Sequence, residues 1–351
     1  MYSDYYGLTE PPFQLTPDAR FWFESRTHKK AMAYLGYGLA QAEGFIVVTG
    51  EIGAGKSTLV QHLLGTIDRT RRNAISLVST QVEGDDMLRL CAQGMGIQVA
   101  GQSKAELLDA VEQWLEREAQ ARKRSLLIVD EAQNLSTSAL EELRMLSNFQ
   151  RSGHATLQIL LLGQPEFRDK LAAPDLEQLR QRVIATHHLE PIQAEEVEPY
   201  IRHRLGCVGW SGRPDFAEDA FAAVHRATAG IPRKINQLVS RLMLFASVEQ
   251  LQTIDGQAVE AVVSDMADEA PALAPAPTST VSSRRERVLP LRGASIGLAV
   301  DNAGQESPEH RIAALETRLA EQERALRRVL TLLVDWVENG ETRANYRHNA
   351  A

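Results

Sequence analysis

Apolar residues gather in five short runs, at residues 45–49, 74–79, 125–130, 157–162 and 183–188, and elsewhere they recur at three- and four-residue spacing. A continuous run of this length reads as a strand covered on both faces, and the wider spacing reads as a helix with one buried side. Helices are predicted at about 28–41, 56–66, 84–95, 103–122 and 136–149. Within the last two, Leu107, Leu108, Val111, Trp114 and Leu115, then Leu140, Leu143 and Leu146, mark core faces. Strand and helix alternate after residue 27, which predicts a parallel five-stranded sheet with helices on both faces, an α/β fold. From Pro191 to about Met266 the strand pattern stops. Helices at 195–205, 215–228 and 232–248, with a short one from Asp255, predict a small helical lid.

Past the lid the pattern changes twice. Residues 269–308 are rich in Ala, Pro and Ser, as in Ala270-Pro271-Ala272-Leu273-Ala274-Pro275-Ala276-Pro277, a composition that builds no packed core and reads as a flexible linker. Then Ile312, Leu315, Leu319, Gln322, Leu326, Val329, Leu333 and Trp336 follow the three-four spacing of a coiled-coil seam, with Gln322 as its one polar position. Such a helix at 309–338 either associates with a copy or partner, the favoured reading, or folds back on its own chain. The expected organisation is therefore residues 1–190 as an N-terminal segment and core, 191–268 as lid, 269–308 as linker and 309–338 as tail helix.

Composition narrows the classes. The 351 residues are 44% apolar, ordinary for a globular protein, and no stretch approaches the ~18 apolar residues a membrane-spanning helix needs. Met1-Tyr2-Ser3-Asp4-Tyr5-Tyr6 does not resemble a signal peptide, and Cys91 and Cys207 stand far apart, so a reducing, cytoplasmic setting is expected. With 38 basic against 46 acidic residues, a net charge of −8 argues against whole-surface attraction to nucleic acid. The clusters Arg69, Arg71, Arg72 and Arg122, Lys123, Arg124 read as helix-end caps ahead of phosphate contacts. His28, His187 and His188 show no metal spacing and read as structural.

Chemistry enters at Gly50-Glu51-Ile52-Gly53-Ala54-Gly55-Lys56-Ser57, which follows the first strand and fits the phosphate-loop pattern G-x-x-x-x-G-K-[ST]. Its glycines let backbone N–H groups converge on phosphate oxygens at a helix start, where the helix dipole favours anions. Lys56 adds a cation for the outer phosphates, Ser57 offers a hydroxyl to Mg²⁺, and Thr58 continues the nucleotide-binding turn. An ordinary glycine turn is the competing reading. It is weakened because strand, loop, Lys-Ser and a following apolar helix (Leu59, Val60, Leu63, Leu64) coincide, and a second apolar strand ends in Asp130 and Glu131. There Asp130 is placed to accept the Mg²⁺ hydration shell and Glu131 to polarise a water aimed at the γ-phosphate, unless the pair merely starts a helix.

The ordered set resembles an AAA+ P-loop ATPase. Tyr5-Tyr6-Gly7-Leu8, Pro11-Pro12-Phe13, Leu15-Thr16-Pro17-Asp18 and Phe21 resemble the opening of the ExeA/GspA-type secretion ATPase family. The phrase from Gly44 to Lys56 looks most like the subgroup linked to exosortase (PEP-CTERM) and exopolysaccharide loci. The resemblance covers residues 1 to about 266. It implies that Gln164, in Leu160-Leu161-Leu162-Gly163-Gln164-Pro165-Glu166, takes the sensor 1 role, where many relatives carry Asn, Thr or Ser. It implies that Arg233, in Gly230-Ile231-Pro232-Arg233, grips phosphate from the lid as sensor 2. It also implies an arginine finger just before the fifth strand, Arg182 first and Arg180 second, acting on a neighbouring subunit in a homo-oligomer; a solvated helix end is the other reading. The N-terminal aromatics either pack near the adenine or staple the first helix to the sheet.

The implied cofactors are ATP and Mg²⁺. The implied role is a cytoplasmic ATPase motor or switch for secretion or assembly of envelope material, reaching the inner membrane through a protein partner. A DNA-binding ATPase of the transposition-helper type is the alternative, and the acidic balance disfavours it.

Overall fold

The computed structural model describes residues 2–78 and 82–269. The linker and the coiled-coil helix expected beyond residue 269 lie outside the described residues.

In chain order, α1 (Tyr2–Tyr5) and α2 (Arg26–Gln41) lead into β1 (Phe45–Gly50) and α3 (Lys56–Thr66). Next come β2 (Arg72–Val78), α4 (Gly84–Gly94), α5 (Lys104–Gln120), β3 (Arg124–Asp130) and α6 (Thr137–Leu146). A hairpin of β4 (Gln150–Arg151) and β5 (His154–Ala155) precedes β6 (Leu157–Gly163), α7 (Glu166–Ala172), α8 (Glu177–Arg180) and β7 (Val183–Leu189). The lid holds α9 (Ala194–Gly206), β8 (Asp215–Phe216), α10 (Glu218–Thr228), α11 (Pro232–Val248), β9 (Thr253–Ile254) and α12 (Gly256–Glu269).

The main sheet is parallel throughout, in the order β2-β3-β6-β1-β7. Alternate residues of its central strands serve opposite faces, as the pleat requires. Phe45, Val47, Leu127, Val129, Ile159 and Leu161 pack under α4, α5 and α6, and their neighbours Ile46, Val48, Leu126, Ile128, Leu160 and Leu162 pack under α2 and α3. Both faces are covered, which is why these strands appear in the sequence as unbroken apolar runs.

The lid is not helical throughout. Asp215 and Phe216 pair in parallel with Thr253 and Ile254, so the helix expected from residue 215 starts at Glu218. The apolar residues of the N-terminal segment also go to the lid: Leu8, Phe13 and Phe21 are buried in its core with Ile201, Leu205 and Leu242. Residues 6–25 thus form a strap. Its backbone is fixed by Thr9 N–H donating to the Val208 carbonyl at 3.1 Å and by the buried Arg204 donating to the Pro12 carbonyl at 2.7 Å. Among the described residues no helix is long and apolar enough to cross a membrane.

Candidate nucleotide site

In a parallel sheet, all strand ends of one kind lie along one edge, and ligands bind outside the carboxyl ends. Here β1, β6 and β3 are neighbours, so the segments that follow Gly50, Gly163 and Asp130 converge. The loop after β1 carries two left-handed glycines, Gly53 at φ 85° and Gly55 at φ 99°, and Gly55 caps α3. A side chain at either position meets a neighbour as well as an unfavourable φ. A Cβ on Gly53 would sit 2.4 Å from Arg233 Cβ.

Lys56 is buried, and its ammonium donates to the carbonyls of Gly50 at 2.7 Å and Glu51 at 3.1 Å. Burial holds it below the usual lysine range, against the opposing pull of Glu131, Asp130, Glu51 and Glu166. An ammonium has three donors, so one remains for a phosphate oxygen. Across the cleft, Ser57 Oγ donates to Asp130 Oδ2 at 3.1 Å, and Asp130 Oδ1 accepts the Glu131 backbone N–H at 2.9 Å. The phosphate loop and the acid pair therefore face one another.

Glu131 has a left-handed backbone, φ 55°, which a non-glycine residue holds only when its surroundings impose it. Its carboxylate is held by two amides. Gln164 Nε2 donates to Glu131 Oε2 at 3.2 Å, and Gln133 donates to the same oxygen while its own Oε1 accepts the Gln164 backbone N–H at 3.0 Å. Gln164 therefore contacts Glu131 directly. Gln133, which the sequence reading missed, ties the two strand ends together.

The lid closes the other side. Arg233 N–H donates to the Gly53 carbonyl at 3.1 Å, so the first turn of α11 rests on the phosphate loop. One turn further along, Asn236 reaches the same cleft, as do Tyr200 and Arg204 of α9. Arg204 can only donate. Its Nη1 donates to Tyr200 OH at 3.3 Å, so Tyr200 passes its own proton to Asn236 Oδ1 at 2.8 Å, and the Asn236 amide is left with N–H donors for a ligand. Phe21, Trp22 and Phe23 of the strap line the cleft, and the guanidinium of Arg204 sits 4.6 Å above the Phe21 ring. Phe21 and Phe23 wall the cleft and pack into the lid core, where a staple to the sheet was expected, and Trp22 packs against the layer of α2 and α3. The cleft encloses about 490 Å³, within the range of small-molecule sites.

Other sequence candidates lie elsewhere. Arg182 and Arg180 are at the opposite edge of the sheet. The Arg182 carbonyl accepts from Phe45 N–H at the start of β1, its Nη1 donates to Ser147 Oγ at 3.2 Å, and Arg180 donates to the Ala172 carbonyl at 3.1 Å. Among the described residues no group of His, Cys, Asp and Glu forms a metal cluster of three. His28, read from sequence as structural, lines the cleft.

Residues 39–171 match the family model described as an AAA domain. The chain carries an AAA domain. Over 249 residues it is 36% identical to General secretion pathway protein A of Aeromonas hydrophila, a match that takes in 70% of this chain and 45% of that protein. The chain therefore spans less than half the length of this curated relative. Two solved structures share the AAA fold. Cdc6p from Pyrobaculum aerophilum superposes with a TM-score of 0.59 at 14% identity, over 72% of this chain and 70% of that one. The Aeropyrum pernix ORC2 protein, solved as ADPNP-ADP complexes, gives 0.53 at 16% identity, over 73% and 71%.

Proposed function

We propose that this chain is an ATP-hydrolysing AAA+ motor or switch that supports secretion or assembly of envelope material, in exopolysaccharide- or exosortase-linked export. The observation that carries the enzymatic half is the single cleft in which Ser57 meets Asp130 and Gln164 meets Glu131. The N–H groups around Gly53 and Gly55, with Lys56, hold the phosphates; Thr58 follows at the first turn of α3. Arg233 adds a planar cation from the lid. Glu131, aimed by Gln164 and Gln133, orients a water and accepts its proton as that water attacks the γ-phosphate. The Ser57 hydroxyl and the Asp130 carboxylate are adjacent hard oxygen donors, the kind of set that holds Mg²⁺ together with phosphates. Ser57 and Asp130 would hold the ion, which would supply positive charge to the phosphates.

The export half rests on the identity to General secretion pathway protein A. On this reading the chain acts in the cytoplasm, as a homo-oligomer, and meets the inner membrane through a partner of the secretion machinery.

Turnover of ATP by the purified chain, followed with light scattering and with or without duplex DNA, tests the proposal. Lys56→Ala is expected to lose nucleotide binding. Glu131→Gln is expected to keep binding while turnover falls at least a hundredfold, as loss of a general base entails. Unchanged turnover in Glu131→Gln rejects the hydrolytic assignment. Stimulation by duplex DNA that falls steeply with salt moves the function to the DNA-acting class. Cells whose only copy is Glu131→Gln are expected to lose surface polysaccharide; unaltered export overturns the secretion half.

A further inference from the structure

His28 is a buried side chain that the proposed reaction leaves unused. It stands at 6% exposure at the start of α2 and on the cleft wall, with its Nε2 against the phosphate loop. A Cβ added at Gly55 would lie 2.9 Å from that nitrogen. The absence of a side chain at Gly55 opens the approach between the ring and the N-terminus of α3.

Ser25 settles which ring nitrogen carries the proton. Its Oγ lies 2.7 Å from His28 Nδ1 and also accepts the His28 backbone N–H at 3.3 Å, as the cap of α2. Ser25 is fully buried. If Nδ1 carried the hydrogen and donated to Oγ, the serine proton would have no acceptor among the described residues, a loss of about 1–3 kcal/mol for a buried donor. The hydroxyl therefore donates to Nδ1, and a neutral ring then carries its hydrogen on Nε2. Burial favours that neutral form and pushes the imidazole down to about 4, helped by His187.

The Nε2–H so defined has no acceptor among the described residues. The ring is also kept from turning away. Trp22 packs edge-on to it at 5.0 Å and is itself stacked on His62 of α3 at 4.2 Å. A rigid, neutral donor with no protein partner, beside the helix end where anions bind, fits one kind of acceptor.

We propose that His28 is a nucleotide-contacting residue: its Nε2–H donates to a phosphate oxygen beside Gly55, and Ser25 acts as the positioning residue that fixes the tautomer. This rests on the nucleotide reading of the cleft and adds to it a phosphate ligand outside the glycine loop. A neutral donor there holds an ADP or ATP oxygen without adding a charge.

ADP affinity, free of turnover, is the measurement, taken for the wild type and for His28→Phe, His28→Gln, Ser25→Ala and Lys56→Ala. A hydrogen bond to a charged group predicts that His28→Phe weakens ADP about ten- to a hundredfold. His28→Gln, which places an amide N–H near the Nε2 position, is expected to recover most of it. Nitrogen-15 spectra of the histidines are expected to show the Nε2–H tautomer for His28 without nucleotide, a shift of that signal on adding ADP, and mixed tautomers in Ser25→Ala. Should His28→Phe fail to fold, the spectra and the glutamine and alanine variants carry the test. Wild-type affinity in His28→Phe with binding lost in Lys56→Ala overturns the His28 contact and leaves the nucleotide site standing, as does an Nδ1–H tautomer. A wild type that binds no ADP overturns both.

Discussion

His28 stays neutral in the folded chain down to about pH 4, whereas a free histidine takes up its proton near pH 6.5. Between those values the unfolded chain binds one more proton than the native one, so stability is full above about pH 6.5 and is lost as pH falls through the window. Each pH unit inside it corresponds to about 1.4 kcal/mol. Other groups titrate there too, so the informative quantity is a difference. Urea unfolding at pH 7 and pH 5 is expected to show wild type losing about 2 kcal/mol more than His28→Gln, the size that 1.5 units imply. Equal losses would mean that the ring is charged or solvated in the folded chain. Glu131 is fixed by other means, a left-handed backbone and two amide donors on its carboxylate.

At the scale of elements, the strap and the lid act as one wall, and Arg204 is the joint. It is buried, donates to the carbonyls of Pro12 and Gln14 and to Tyr200 OH, and lies over Phe21. Replacing it by leucine keeps much of its volume but leaves two carbonyls unpaired, a loss of about 2–3 kcal/mol. Melting is expected to fall by roughly 4–10 °C at that cost for a domain of this size. Because Tyr200 then has no fixed donor, the Asn236 amide is free to turn over, and nucleotide stabilisation should shrink as well. A melting shift with undiminished stabilisation by ADP would show that the strap does not shape the site. This wall is also where the sequence was least legible. The phosphate loop and the acid pair are local, each read within one strand and its following turn, and Gln164 was named through the resemblance to AAA+ ATPases, at the end of a third strand. Arg204 meets Pro12 of the strap across 192 residues of chain, Tyr200 meets Phe23, and Asn236 joins them only through Tyr200, so no spacing announces these contacts. Asn236 alone left a trace, since it follows Pro232 and Arg233 on one face of α11. The β8 and β9 pair was missed because two residues are too short for any period to register.

At the scale of the whole molecule, the position of Arg182 makes a demand that one chain cannot meet. The phosphate loop leaves β1 at the carboxyl edge of the sheet, while Arg182 enters β7 at the amino edge, where its carbonyl pairs with Phe45 N–H. The strands between those edges span about 20 Å, well beyond the reach of one arginine side chain. Arg182 therefore has no part in its own chain's chemistry, and a finger role requires a second copy that presents its amino edge to this cleft. The requirement can be tested by complementation. Glu131→Gln subunits keep the arginine but lack the base, and Arg182→Ala subunits keep the base but lack the arginine. Each alone is expected to be nearly inactive, while an equal mixture rebuilds about a quarter of the interfaces, so turnover should return to roughly that fraction of wild type. If Arg182→Ala alone turns over ATP at the wild-type rate, the finger is not Arg182, and the same mixing with Arg180→Ala decides whether the exposed neighbour holds the role. If neither arginine matters, hydrolysis is completed within a single chain, and the assembly, where it forms, serves the client and not the chemistry.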